Sequence, residues 1–271
     1  MSEIDHNSSI PDLAQELEII NVSTEEMQKD TRELICEVPL TIFINGEEFV
    51  TLLCSPCDQK ELAVGFLRSE GLITDSSDLL SLELDAGRGL VNIEVAEHEE
   101  WGKTLNKKRT ITSGCGGGTT LYRASDALNI KKNESSILIE PAWIISSLNE
   151  MQKKSFLYYR TRGAHSSALA REGEIILFAQ DIGRHNAVDK LIGRALLEEI
   201  KLEGCVICSS GRISSEILLK AARMNIPAVI SRAAPTSLSV RLGKELGITV
   251  VGFVTGKSFK VFSHPERVIT P

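Results

Sequence analysis

The chain has 271 residues, 42% apolar and 25% charged, enough to bury one large core or two modest ones, with no apolar span long enough to cross a bilayer. Its formal net charge of -7 argues against a general nucleic-acid binder, which needs a basic stripe to displace counterions. Six cysteines follow an N-terminus that is polar and acidic and does not read as a secretory leader, so a reducing, cytoplasmic setting is expected, with thiols that stay free, bind metal or do chemistry.

Residues 1–33 are charged and without period and are expected to be a flexible tail, carrying at most a short helix. A β-rich run over 34–44 meets Asn45-Gly46 and resumes over 49–53, the strongest short-range hairpin signal. Asp58 and Glu61 have the spacing of a capping box ahead of the periodic Leu62, Gly65, Phe66 and Leu67, and Gly71 supplies a stop, which predicts a helix over 59–70. A strand pair near 79–84 and 89–95 turns at Ala86-Gly87-Arg88-Gly89. Residues 34–110 therefore read as a small α+β domain.

Residues 111–135 read as a glycine-rich cysteine loop and linker. Thr112-Ser113-Gly114-Cys115-Gly116-Gly117-Gly118-Thr119-Thr120 spends too much backbone entropy on glycine to form a stable helix or strand. Over 136–271, Pro141 fits the first turn of a helix running to about Lys154, and 167–170 with 175–179 form a second hairpin. A regular alternation follows: helix 186–200, strand 204–209, helix 214–224, strand 227–231, helix 236–246, strand 248–254. Val188, Leu191, Ile192, Ala195 and Leu196 keep helical spacing, while 205–208 and 228–230 are continuous apolar runs. That alternation implies an α/β domain with a largely parallel sheet.

Cys115 is sterically open between glycines, which suits a nucleophile or carrier. The competing reading is an incidental loop cysteine, although an exposed unpaired thiol is a liability that a function would justify. Residues 181–190, containing Asp181, Arg184, His185, Asn186 and Lys190, join a strand end to a helix start and face the crevice where open α/β sheets bind ligands. Capping by Asn186 and an Asp181–Arg184 ion pair would explain part of that motif without a ligand. Ser210-Gly211-Arg212 with Ser214, then Ala234-Pro235-Thr236, then Gly256-Lys257 repeat the arrangement at successive strand ends, where helix N-termini bind phosphate. Arg184, Arg212, Arg232 and Lys257 on one edge suggest a ligand with several phosphates, against ordinary cap-and-turn chemistry. Cys54/Cys57 and Cys205/Cys208 have the spacing of zinc half-sites. Cys205 and Cys208 lie in a predicted strand, where positions three apart face opposite ways, so ordinary burial is expected there.

The chain resembles the formate dehydrogenase accessory proteins of the FdhD type over about residues 34–269. The resemblance is carried by Glu37-Val38-Pro39-Leu40, by residues 61–67 with Glu70-Gly71, by the Cys115 loop, by Gly163-Ala164-His165, by residues 181–190, by Ser210-Gly211-Arg212-Ile213-Ser214, by Ala234-Pro235-Thr236 and by His264-Pro265-Glu266-Arg267. It implies a sulfur carrier, or sulfurtransferase, that takes sulfur from a cysteine desulfurase and passes it to a bis(molybdopterin guanine dinucleotide) molybdenum cofactor for formate dehydrogenase. The cofactor would be bound as a substrate, and a homodimer is implied. A cofactor-binding chaperone without sulfur chemistry is the alternative. The family's carrier loop often holds a Cys-x-x-Cys pair; Cys115 matches its first position and Gly118 stands at the second. A disulfide between those two positions is therefore excluded, and a single-cysteine persulfide relay survives. The family's second domain is similar to cytidine deaminases, a mixed sheet with helices, but His165-Ser166-Ser167 and the lack of Pro-Cys-x-x-Cys remove the deaminase metal site, so no permanent metal is expected. Its cofactor segment matches Val254, Thr255, Gly256, Lys257, Ser258 and Phe259. With His165, Asp181, Arg184, His185, Ser210, Gly211, Arg212 and Thr236, these are the expected cofactor-binding residues.

Overall fold

The computed structural model describes residues 12–96, 109–110 and 130–269. The stretch expected as a flexible tail carries a hairpin instead: β1 (Ala14–Val22) and β2 (Met27–Ile35) pair antiparallel. Neither strand has a clean apolar–polar alternation because neither face is buried, and that removes the signal by which strands are recognised. The next hairpin follows its turn chemistry. Asn45 and Gly46 both take positive φ, 49° and 81°, the turn whose twist matches paired strands, and it joins β3 (Val38–Ile44) to β4 (Glu47–Cys54). Helix α1 (Gln59–Glu70), β5 (Leu79–Asp85), β6 (Leu90–Val95) and β7 (Arg109–Thr110) complete the first half. The five strands run in the order β5-β6-β3-β4-β7, with Leu40, Ile42, Leu52, Val91 and Ile93 buried against Leu62, Phe66 and Leu67 of α1.

The second half opens with α2 (Pro141–Lys154) and the short α3 (Phe156–Thr161), then β8 (His165–Arg171) and β9 (Glu174–Asp181). Helix α4 (Arg184–Leu197), β10 (Val206–Ser209), α5 (Ser215–Arg223), β11 (Ala228–Ser231), α6 (Ser237–Leu246), β12 (Thr249–Gly252) and β13 (Lys260–Ser263) follow. The sheet order is β13-β12-β11-β10-β8-β9, parallel across β10, β11 and β12 and antiparallel at both flanks. One face packs on α4, α5 and α6 and the other on α2, so six α-helices and three sheets make up the described residues. Cys205, just before β10, and Cys208 within it are fully buried, in clusters on opposite faces of the sheet.

The two halves meet helix to helix. A Cβ on Gly65 of α1 would lie 1.8 Å from the Asp189 carbonyl oxygen of α4, and one on Gly193 would lie 1.9 Å from that of Glu61. Only glycine at both positions lets the backbones approach so closely. The interface is polar as well as tight. Ser69 Oγ donates across it to Asp189 at 2.5 Å, whose two oxygens Lys220 Nζ reaches from within the second half at 2.7 and 2.9 Å, and Arg194 pairs with Asp58 at 2.6 Å. That last contact corrects the expected capping box: Asp58 sits in the left-handed region and makes no side-chain cap, because its carboxylate is committed across the interface.

Candidate functional site

Sheet order lines up the sequence-predicted residues along one edge. His165 opens β8 directly opposite Asp181 at the end of β9, and Ser210, Ser231 and Gly252 stand at or just past the ends of the next three strands. The loops are tied together there. Ser166 N–H donates to Ser210 Oγ at 2.9 Å, Ser231 Oγ donates to the Gly211 carbonyl at 2.7 Å, and the Val254 N–H donates to the Ser231 carbonyl at 3.2 Å.

At the β8/β10 end, His165 Nδ1 lies 3.3 Å from Ser210 Oγ. A Cβ on Gly211 would come within 3.0 Å of the Arg184 side chain and 3.4 Å of His165 Nδ1; glycine there is what lets the arginine and histidine close on the loop. Burial, then the neighbouring Arg184, lowers the His165 pKa, Asp181 opposes them, and Arg212 adds to the lowering. The Nε of Arg184 is buried without a hydrogen-bond partner in the described structure. A cationic group with an unspent donor, a neutral imidazole and an exposed Arg212 make a place that favours an anion.

His185 points to the helix side. Its Nε2 lies 2.9 Å from Ser214 Oγ and 3.0 Å from Glu216. Burial, reinforced by Arg184, Lys220 and His165, pushes its pKa down to about 3, so the contact with Glu216 is a hydrogen bond from a neutral ring rather than an ion pair at neutral pH. Desolvation, helped by the cations Arg184 and Lys220, outweighs the one half-buried carboxylate here.

Asp181, expected among the ligand-binding residues, is fully buried. Its Oδ1 accepts from Gly183 N–H at 2.8 Å and Asn186 Nδ2 at 2.9 Å, and its Oδ2 accepts from Ser55 N–H at 3.0 Å and pairs with Lys190 at 2.7 Å. The carboxylate has no capacity left for a ligand; it shapes the turn that presents Arg184 and His185. The alternative Asp181–Arg184 pair does not form, and Asn186 does not cap α4, whose N-cap is Gly183; its amide also donates to the Leu53 carbonyl at 2.9 Å. Lys190 is equally buried and further contacts the Gln180 carbonyl at 3.2 Å and Cys57 Sγ at 3.5 Å. Burial works against its ammonium, but Asp181 and the thiols of Cys57 and Cys54 raise its pKa overall.

Further along the edge, Ser214 and Thr236 cap α5 and α6 as their sequence context predicts, accepting from Ile217 and Ser239 N–H. Val254 buries its side chain in the core, so it cannot offer that side chain to a ligand. Thr255, Gly256, Lys257 and Ser258 are exposed in a turn closed by Thr255 N–H donating to the Ser258 carbonyl at 2.8 Å. Phe259 is half-buried. Arg232 is exposed and donates to Asn149 at 2.8 Å. Cys115 and its loop lie outside the described residues. Ser55 was missed as a partner of the Asp181 turn, and Lys190, named in the 181–190 segment, was not foreseen as the ion-pair partner of Asp181. Nothing local marks Ser55, because its partners Asp181 and Ile182 lie more than a hundred residues along the chain. No group of three or more metal-ligating side chains occurs among the described residues, and no helix among them is long and apolar enough to cross a membrane.

The model of the FdhD/NarQ family matches residues 35–269. A protein of Staphylococcus aureus (strain MRSA252) named "Sulfur carrier protein FdhD" is 39% identical over 251 residues, 93% of this chain and 95% of its own. One of the same name from Staphylococcus haemolyticus (strain JCSC1435) is 39% identical over 257 residues, 95% of this chain and 97% of its own. The crystal structure of a formate dehydrogenase accessory protein from Desulfotalea psychrophila superposes with a TM-score of 0.79 at 24% identity, covering 95% of this chain and 100% of that one, which shows a shared fold.

Proposed function

Since the chain belongs to the FdhD/NarQ family, we propose that it is a sulfur carrier for formate dehydrogenase, a cytoplasmic sulfurtransferase working as a homodimer. The Cys115 thiolate attacks the outer sulfur of a persulfide on a cysteine desulfurase, releasing the donor's thiolate and leaving a persulfide on Cys115. The outer sulfur then passes, at the sulfane level, to the bis(molybdopterin guanine dinucleotide) molybdenum cofactor held as a substrate: the acceptor would supply the electron pair of the new bond, the S–S bond would break, and Cys115 would leave as the thiolate. With glycine at position 118, one thiol carries the sulfur throughout.

The observation that carries the cofactor half of this reading is the sheet edge itself. Arg184, with its unspent Nε, stands beside His165, Ser210 and Gly211, and the Val254 to Phe259 turn follows β12, three strand spacings or about 14 Å from β8. Phosphates spread along an extended dinucleotide fit that row better than one compact anion does. Neutral His165 supplies a hydrogen bond without adding charge, while Arg184 and Arg212 supply the charge. The second half is read as deaminase-like in topology, its edge turned from metal chemistry to phosphate binding. The cofactor's metal chemistry is its own; the chain binds, orients and screens it.

Intact-mass measurement after incubation with a desulfurase and free cysteine tests the carrier half. The gain of one sulfur, lost in Cys115→Ala together with formate dehydrogenase activation, is the expected result. A wild-type chain that gains none would reduce the protein to a cofactor-binding chaperone using the same loops.

A further inference from the structure

Strand β2 is almost wholly exposed, and the β1–β2 hairpin is a sheet of two strands. Such a hairpin is marginal in water by itself, and its long free edge is the kind that natural proteins cover or pair. Its apolar residues are open to solvent too: Ile20 is 61% exposed, Val22 63% and Met27 68%. Among the described residues its base is held, where Arg160 of α3 grips Glu33 and Ile35 packs on Gly163.

Apart from Glu33, the charges on β2 are unanswered among the described residues. Lys29, Asp30 and Arg32 lie across from Ile20, Ile19 and Leu17 and make no ion pair among the described residues. Yet Lys29-Asp30-Thr31-Arg32-Glu33 is a charge palindrome. Laid antiparallel on a second copy with Thr31 on the axis, Lys29 meets Glu33, Asp30 meets Arg32, threonine meets threonine and Met27 meets Ile35. Each pair falls on one face, because partners about the axis share parity, and opposite charges and Thr–Thr are favourable cross-strand neighbours.

We propose that the free edge of β2 is the homodimer interface, pairing with β2 of a second copy about a two-fold axis at Thr31 to give a four-stranded intermolecular sheet. The proposal rests on the homodimer in the reading above and adds its surface. A two-fold interface must be self-complementary, which is what the palindrome provides.

Two single substitutions test it. Asp30→Arg sets arginine against Arg32 in a homodimer, and Arg32→Asp sets aspartate against Asp30; both spare Glu33 and its contact with Arg160. Sedimentation equilibrium should show each variant dimerising on the order of 10- to 100-fold more weakly than wild type, and an equimolar mixture should regain the wild-type association as a heterodimer. That recovery also shows that the variants are folded. A wild-type dimer with both variants equally dimeric would overturn this interface and leave the homodimer standing. Variants that weaken without recovery on mixing would overturn the pairing about Thr31. A monomeric wild type would overturn interface and homodimer together, while sulfur gain by intact mass judges the carrier reading separately.

Discussion

His185 shows how one buried side chain sets the acid limit of the molecule. Its pKa falls from 6.5 to about 3 in the folded chain, so the unfolded state binds the extra proton between those values and stability is lost as pH drops through that window. The slope of unfolding free energy against pH should approach about 1.4 kcal/mol per unit below 6.5 from this group. His185→Gln should flatten it by that amount in urea titrations at pH 6 and 5, and an unchanged slope would show that the ring is solvated. The Asp181–Lys190 pair makes an opposite kind of demand, because both side chains are fully buried. Lys190→Met strands a carboxylate and should cost about 3–5 kcal/mol, whereas Asp181→Asn with Lys190→Met should cost much less, the usual asymmetry of buried pairs. Thiol accessibility follows burial in the same way. Cys54 and Cys208, both pushed up to about 12 chiefly by desolvation, should resist alkylation in the native protein while reacting on unfolding.

At the scale of elements, the crossing of α1 and α4 is the most sensitive joint. Gly65→Ala would drive a methyl into the Asp189 carbonyl at 1.8 Å, and backbone cannot yield as a side-chain tip can, so a loss of about 3 kcal/mol or more is expected in chemical denaturation. Gly71→Ala, with nothing within 4 Å of its added Cβ but a φ of 79°, should cost only about 1 kcal/mol from the strained conformation. The contrast marks what sequence could reveal. Gly71 as a helix stop, Asn45-Gly46 as a turn, and Ser214 and Thr236 as caps are local chemistry, legible because each acts on its own neighbours. Gly65 was legible as a helical position but not as a contact point, since its partner lies more than a hundred residues away. Asp58 and Asn186 were misread for the same reason: both are competent caps, and both are recruited by distant groups, Arg194 and Leu53. The hairpin of β1 and β2 escaped because a strand pair buried on neither face leaves no period to read.

For the whole molecule, the site belongs to both halves. The turn that presents Arg184 and His185 is shaped by Asp181, and Asp181 is held partly by Ser55 N–H from the strand end before α1, while Ile182 N–H donates to Ser55 Oγ at 3.1 Å. Sequence composition drew a boundary between a small α+β unit and a larger α/β unit. The polar contacts and the two glycines cross that boundary at its most buried point, so the halves should open together. Hydrogen exchange followed by mass spectrometry would read this directly. Amides of α1 and of α4 should share one opening free energy, equal to the global value from denaturation, and Gly65→Ala should lower both by the same amount. If α1 exchanged through a cheaper opening while α4 stayed protected, the first half would be an independent unit, and the geometry at Arg184 would have to be set by the second half alone.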